Sequence, residues 1–147
     1  MKKIIITAIA IIAIACLSFF VLDVYNDNRL VAKDSLPKSI VDFIDTNFPE
    51  TNIRSAEIDF LDYGVWLEDD TYVEFKWNRE WDKIERHNAS VPSQLMPAGI
   101  TSFIIEKYPE SMITKVSIDD SRYEVNISNN YIELIFNKQG NYIGIDK

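Results

Sequence analysis

The sequence predicts an α+β fold made of two tandem repeats, each consisting of one helix followed by four antiparallel strands. A phrase at residues 36–53, "LPKSIVDFIDTNFPETNI", returns at 96–113 as "MPAGITSFIIEKYPESMI". Apolar residues within each phrase recur at the spacing of an amphipathic helix. After each phrase the apolar residues alternate with polar ones, which is typical of strands that cover a core with one face.

The two phrases align at an offset of 60 residues. The matched positions include prolines at both ends of the helix and an aromatic residue within it: Pro37 and Pro97, Phe43 and Phe103, Pro49 and Pro109. The offset slips to 59 and later to 61, in turn-like segments where insertions are tolerated. The chain is therefore an internal duplication.

The predicted helix of the first repeat has an apolar stripe at Ile40, Phe43, Ile44 and Phe48. It ends before Pro49, because the residue that precedes a proline avoids helical geometry. The second repeat shows the same pattern 60 residues later.

Four alternating segments follow each helix: "IRSAEIDF", "GVWLEDD", "TYVEFKWN" and "EWDKIERH" in the first repeat, and "ITKVSIDD", "RYEVNISN", "YIELIFNK" and "NYIGID" in the second. Connections such as "SNN" and "KQGN" are short enough for hairpins. We place the first repeat at 36–86, a linker at 87–95 and the second repeat at 96–147. Residues 23–35 are polar and predicted to be a flexible N-terminal segment.

Residues 1–22 are predicted to be a signal peptide or a membrane anchor. Lys2 and Lys3 precede an uncharged run at 4–22, which is typical of an export signal. The run is also just long enough to span a bilayer as an uncleaved anchor. A third alternative is a lipoprotein, because "AIAC" places Cys16 in a loose lipidation box. We expect an exported protein of the periplasm or cell envelope, with a membrane tether under the second and third alternatives.

The part after this segment is strongly acidic. The whole chain has a net charge of −8, and removing Lys2 and Lys3 changes this to −10. Phosphate binding requires a basic patch, so this charge argues against nucleic acid and anionic lipid surfaces as partners. It is compatible with simple solubility or with a basic partner.

The repeated pattern "LP…I..FI...FP...I", followed by "Y.V.L…YVEF.W" or by "YEVNI…YIELIFNKQGNYIGID", resembles the PepSY-like family, also called beta-lactamase-inhibitor-like. The resemblance covers about residues 36–147. It implies a small exported bacterial protein with one eight-stranded antiparallel sheet and both helices on one face. The first repeat departs from the pattern, because "NREW" has no glycine that matches Gly140.

Residues suited to catalysis are sparse, and we predict no catalytic, cofactor or metal site. His87 is the only histidine and Cys16 the only cysteine. No serine motif or cysteine accompanies His87 to form a catalytic triad, and a zinc site lacks the several His or Cys ligands that it needs. The acidic clusters Glu68–Asp70 and Asp119–Asp120 leave a hydrolytic or calcium-binding envelope protein as the alternative. Solvated turns are the more ordinary explanation of such clusters.

The face of the sheet opposite the helices is predicted to interleave aromatic and charged side chains, an arrangement typical of protein-binding surfaces. Cross-strand pairing that only stabilises the sheet is the alternative explanation. We therefore expect a non-catalytic module that binds another protein, or acts in the manner of an inhibitor, through this face. Its predicted residues are Trp66, Tyr72, Glu74, Trp81, Tyr131, Glu133 and Tyr142.

Overall fold

The computed structural model of the chain describes residues 29–60, 62–129 and 132–146. Residues 1–22, Cys16 and Tyr131 lie outside these ranges, so the predictions about export, lipidation and the role of Tyr131 stay predictions. Within the described residues, no helix has both the length and the apolar character needed to cross a bilayer.

Two ten-residue helices form where the repeated phrases predict them. Helix α1 spans Lys38–Asn47 and helix α2 spans Ala98–Lys107. Each begins directly after a proline, which supplies no backbone donor and is tolerated at a helix start. Phe48 ends the first helix, and its backbone N–H donates to the Ile44 carbonyl at 2.8 Å. The residue before each second proline is therefore the helix boundary, as the sequence predicts.

The strands within residues 29–60, 62–129 and 132–146 form one antiparallel sheet, in which each strand neighbours the next one along the chain. The strands are β1 (Arg29–Val31), β2 (Ile53–Asp59), β3 (Asp62–Leu67), β4 (Tyr72–Phe75), β5 (Trp81–Glu85), β6 (Ile113–Asp119), β7 (Arg122–Ile127), β8 (Glu133–Asn137) and β9 (Tyr142–Asp146). Hairpins join most neighbouring strands; the exceptions are β1 to β2, where the chain passes through α1, and β5 to β6, where it passes through α2.

A continuous row of apolar side chains crosses one face of the sheet. Successive register partners place on this face Val31, Ala56, Val65, Val73, Ile84, Val116, Val125, Leu134 and Ile145. Both helices cover this face. Phe43 of α1 meets Phe75 edge-on at 5.3 Å between ring centroids, and Phe103 of α2 meets Phe136 in the same way at 5.5 Å. The core lies between the helices and this face.

In the part of the chain that the structure describes, the sheet contains nine strands, so the prediction of eight is wrong. The additional strand is β1, at residues that the sequence analysis assigned to a flexible segment. Its three residues are too few to show alternation. The strand forms because Val31 pairs with Ala56 and extends the apolar row by one residue. A short 3-10 turn, Lys33–Ser35, then leads to the first helix.

The two repeats join in the middle of the sheet through β5 and β6. Ile84 and Val116 are register partners, and both are fully buried. Beyond this pair, the Arg86 N–H donates to the Thr114 carbonyl at 2.7 Å, and the Val91 N–H donates to the Ile113 carbonyl at 2.8 Å. The end of the first repeat and the linker are therefore each bound to the second repeat by a backbone hydrogen bond.

The last turn of the first repeat forms without the glycine. Arg79 adopts a φ of 69°, and Gly140 at the equivalent place has a φ of 83°. The hydrogen bonds match as well, because the Arg79 N–H donates to the Lys76 carbonyl as the Gly140 N–H donates to the Asn137 carbonyl. A non-glycine residue in this left-handed region costs about 1–2 kcal/mol.

Replacing Arg79 with glycine is expected to stabilise the protein. Relief of the left-handed conformation outweighs the greater entropy of glycine in the unfolded chain, leaving a gain of about 0.5–1 kcal/mol in the free energy of unfolding. Urea denaturation measures this gain. Arg79→Ala keeps the backbone cost and serves as the control; equal stability of the two variants would contradict the explanation.

Candidate functional site

The face opposite the helices, called the open face below, carries mostly charged and polar side chains. Two parallel rows of register partners define it. The first row contains Glu57, Gly64, Glu74, Lys83, Ser117, Glu124, Ile135 and Gly144. The second contains Ser55, Trp66, Tyr72, Glu85, Lys115, Asn126, Glu133 and Asp146. Of the predicted surface residues, Trp66, Tyr72, Glu74 and Glu133 lie here.

The prediction that Trp81 lies on the open face is wrong. Glu74 pairs with Lys83, but the next residue, Phe75, pairs with Trp81, so β5 carries one extra residue at this point. Such a bulge reverses the face on which side chains beyond it lie, relative to strict alternation. Trp81 therefore lies on the helix side and packs against the core.

The same correction applies to Tyr142 in the second repeat. Ile135 pairs with Gly144, whereas Phe136 pairs with Tyr142, so β9 has a bulge at the equivalent place. The Tyr142 ring stacks on Phe103 of α2, with centroids 4.4 Å apart and planes 13° apart. Strict alternation misassigns both residues; the trace of each bulge in the sequence is the three-residue interval from Trp81 to Ile84 and from Tyr142 to Ile145, which breaks the two-residue period.

An aromatic pair stands at the centre of the open face in the first repeat. Trp66 and Tyr72 are register partners, half-buried, with ring centroids 4.6 Å apart. A cation lies over each ring. The Arg54 guanidinium is 5.9 Å from the Trp66 centroid, and the Lys83 ammonium is 5.3 Å from the Tyr72 centroid. These distances fall within the range of cation–π attraction.

Each of these cations is also held by a carboxylate. Arg54 contacts Asp70 at 2.6 Å, and Lys83 contacts Glu74 at 2.5 Å. Arg54 and Lys83 are functional candidates that the sequence analysis missed. The parity of β5 does assign Lys83 to the open face. The position of Arg54 required the structure, since the register between β2 and β3 shifts between Ile53 and Ser55.

Tyr72 lies close to several carboxylates, and Gly64 leaves the space that its hydroxyl group occupies. A Cβ atom on Gly64 would lie 2.8 Å from the Tyr72 hydroxyl oxygen and 2.9 Å from the Glu57 side chain, so the absence of a side chain makes room for both groups. Burial, together with the negative charges of Glu74, Glu57 and Glu85, raises the pKa of Tyr72 to about 12. The phenol consequently stays neutral across the physiological range.

Alkaline pH is expected to destabilise the protein through Tyr72. With the usual pKa of 10.0 in the unfolded chain and about 12 in the folded protein, the phenol is neutral in both states below pH 10. Between these values only the unfolded chain releases the proton, so the free energy of unfolding falls as pH rises. Tyr72 is only partly buried, which reduces the expected loss to about 1 kcal/mol.

Urea denaturation of the wild type and of Tyr72→Phe, below pH 10 and again near pH 12, measures this contribution. The phenylalanine variant should lose less stability over that interval. Equal losses in the two proteins would show that Tyr72 does not contribute to the alkaline transition.

The open face of the second repeat has a different character. Asn126 stands at the position equivalent to Trp66, and Lys115 approaches Glu133 at 3.7 Å. The Ser117 hydroxyl donates to Glu124 at 3.2 Å. The duplication has therefore kept the sheet but has not repeated the tryptophan of the aromatic pair.

The acidic cluster Glu68–Asp70 forms a network of hydrogen bonds and ion pairs. Asp69 contacts the Arg86 guanidinium at 2.9 Å and accepts from the Thr71 N–H at 3.1 Å. Partial burial works to raise the pKa of Asp69, but the bonds from Thr71 and Arg86 outweigh it and hold the pKa below its usual value. Asp70 is held by Arg54, and Glu68 accepts from the Asn52 amide at 3.2 Å. The cluster thus ties its turn to neighbouring segments.

The remaining candidates for chemistry are dispersed. His87 is exposed, with its Nε2 atom 3.9 Å from a Glu85 oxygen. Asp119 and Asp120 lie where β6 turns into β7. Among the described residues, no three side chains of the metal-binding types His, Cys, Asp and Glu converge on one point.

Comparison with known proteins identifies one family in two regions of the chain. A family model described as "Putative beta-lactamase-inhibitor-like, PepSY-like" matches residues 24–72 and 61–144. Among curated proteins, none matches this sequence.

Two solved structures share most of the chain. One is described as a putative calcium-regulated periplasmic protein from Bacteroides thetaiotaomicron; it is 29% identical and has a TM-score of 0.75, covering 83% of this chain and 98% of that chain. The other, a putative periplasmic protein from Bacteroides vulgatus, is 28% identical and has a TM-score of 0.73, with the same coverage. From the repeated motif, the sheet and the two family matches together, the chain belongs to the PepSY-like, beta-lactamase-inhibitor-like family.

Proposed function

We propose that this protein is a non-catalytic module of the bacterial periplasm or cell envelope that binds another protein through the open face. The observation that carries this proposal is the Trp66–Tyr72 pair, which has a cation over each ring and lies opposite both helices. Large aromatic rings that are already ordered provide contact area at a low entropic cost, and they are enriched among residues that dominate binding energy.

Two observations support a location in the periplasm or cell envelope. The related structures are described as periplasmic proteins, and the uncharged run at 4–22 is typical of an export segment. The binding role is supported by the composition of the open face, where Glu74 and Glu133 accompany the aromatic pair. Trp81 and Tyr142 are no longer part of this surface, and Tyr131 remains a predicted member.

Crosslinking from the open face tests this proposal. A photoreactive residue introduced at Glu124 of the full chain should form an adduct with a protein partner in the cell envelope, and one at Ser102 on the exposed side of α2 should not. Truncating Trp66 to alanine should weaken binding of the identified partner about thirtyfold, corresponding to about 2 kcal/mol.

Trp77 provides the matched control, because it is 69% exposed in the turn between β4 and β5. Trp77→Ala should leave partner affinity unchanged. Melting temperatures measured in parallel separate binding from stability. If Trp66→Ala lowers only the melting temperature, the pair serves the sheet and the binding proposal fails.

The alternative, a hydrolytic or calcium-binding protein with an acidic site, gains no specific observation from the geometry. The description as calcium-regulated applies to the related protein from Bacteroides thetaiotaomicron. In this chain Asp69 and Asp70 are engaged by Arg86 and Arg54. We therefore retain the binding module as the single proposed function.

A further inference from the structure

The open face has an excess of negative charge that its own cations do not balance. Its two rows carry Glu57, Glu74, Glu85, Glu124 and Glu133 against Lys83 and Lys115, and the guanidinium of Arg54 beside them is paired with Asp70. Complementary charge accelerates association and selects partners, so a face of this composition favours a cationic partner and disfavours an anionic one. The remainder of the chain is acidic too, with a net charge of −8 overall.

The Trp66–Tyr72 pair shows which chemical group fits against it. Each ring already receives one intramolecular cation, and each cation is simultaneously bound by a carboxylate. A lysine or arginine side chain supplies both features, since its charged head approaches the ring face while it donates to an acidic neighbour. A lysine or arginine of a partner can therefore make the same two contacts that each internal cation makes, one with a ring face and one with a carboxylate.

Lys83 is the internal cation that a partner can most readily displace. Its ammonium pairs with Glu74, one of the three carboxylates whose charges act on Tyr72. The side chain of Lys83 is about one-third exposed, and exposed ion pairs contribute little to stability. An incoming ammonium or guanidinium group can therefore take its place over the Tyr72 ring without large cost to the fold.

We infer that the partner of the open face is a basic polypeptide, and that one of its lysine or arginine side chains replaces Lys83 over Tyr72, between Glu57, Glu74 and Glu85. This inference rests on the proposed function and specifies its partner. Lys83 is then a placeholder that keeps the site ordered while no partner is bound.

Binding of a fluorescent oligolysine peptide to the full chain at low ionic strength tests the inference. Lys83→Met should strengthen binding about three- to tenfold, because the competing internal cation is gone. Lys115→Met makes the same change of charge on the same face, where Lys115 pairs with Glu133. It should strengthen binding less than Lys83→Met does. Trp66→Leu and Tyr72→Leu should each weaken binding about tenfold.

Several outcomes would overturn the inference. Equal effects of Lys83→Met and Lys115→Met would show a diffuse electrostatic attraction without a placeholder. Binding that does not change in Trp66→Leu would exclude the aromatic pair as the site. A stable dimer that dissociates on Trp66→Ala in light scattering would identify a second copy of this chain as the occupant. Circular dichroism of every variant verifies that it is folded.

The inference and the proposed function can fail separately. If oligolysine does not bind, but the envelope partner still crosslinks at Glu124 and is lost in Trp66→Ala, the basic partner is wrong and the binding module stands. If neither probe depends on Trp66, both fail.

Discussion

Neither repeat is expected to fold when it is expressed without the other. Separation within residues 87–95 would expose Ile84 and Val116, which are fully buried against each other at the centre of the sheet. It would also leave β5 and β6 as unpaired edges, which promote aggregation. A fragment of about 50 residues buries only about 60% of its surface, which leaves little net stability.

Circular dichroism and thermal unfolding of the two fragments test this expectation. A flexible insertion after the exposed Asn88 in the intact chain is the control, because it keeps the repeats tethered and should preserve a cooperative transition. A cooperative transition in either isolated fragment would show that the repeats are independent domains.

Replacing Gly140 with alanine is expected to destabilise the protein by about 2–4 kcal/mol. Gly140 has a φ of 83°, which costs other residues about 1–2 kcal/mol. A Cβ atom at this position would also lie 2.7 Å from the Pro97 Cβ atom, and overpacking of this kind typically costs about 1–3 kcal/mol. Gly99 is involved in the same close approach, because its own Cβ atom would lie 2.7 Å from the Gly140 carbonyl oxygen.

Urea denaturation measures the loss, and Gly144→Ala is the matched control. A Cβ atom on Gly144 meets nothing within 4 Å, so this variant should stay within about 0.5 kcal/mol of the wild type. Similar losses at Gly140 and Gly144 would mean that the contact between the turn and α2 does not limit stability. Because Ser39 and Arg79 replace this glycine pair in the first repeat, the close packing belongs to the second repeat alone.

The functional surface was only partly predictable. Trp66, Tyr72, Glu74 and Glu133 were assigned to the open face by alternation alone, since no bulge intervenes between them and the core row. Trp81 and Tyr142 were assigned wrongly because a bulge separates each of them from the rest of its strand. A register shift is fixed when two strands pair, and in one strand alone a three-residue apolar interval such as Trp81 to Ile84 does not by itself distinguish a bulge from imperfect alternation.

Local periodicity determined the two helices, their proline boundaries, the strands that follow them and the duplication, because these depend on residues near one another along the chain. Only the tertiary structure decided the rest. The strand β1 forms because Val31 pairs with Ala56 of the neighbouring strand β2. Arg54 and Lys83 lie over Trp66 and Tyr72 because pairing of β2, β3, β4 and β5 places these four strands side by side. No local sequence pattern predicts these contacts, because they form only when the strands pair in the assembled sheet.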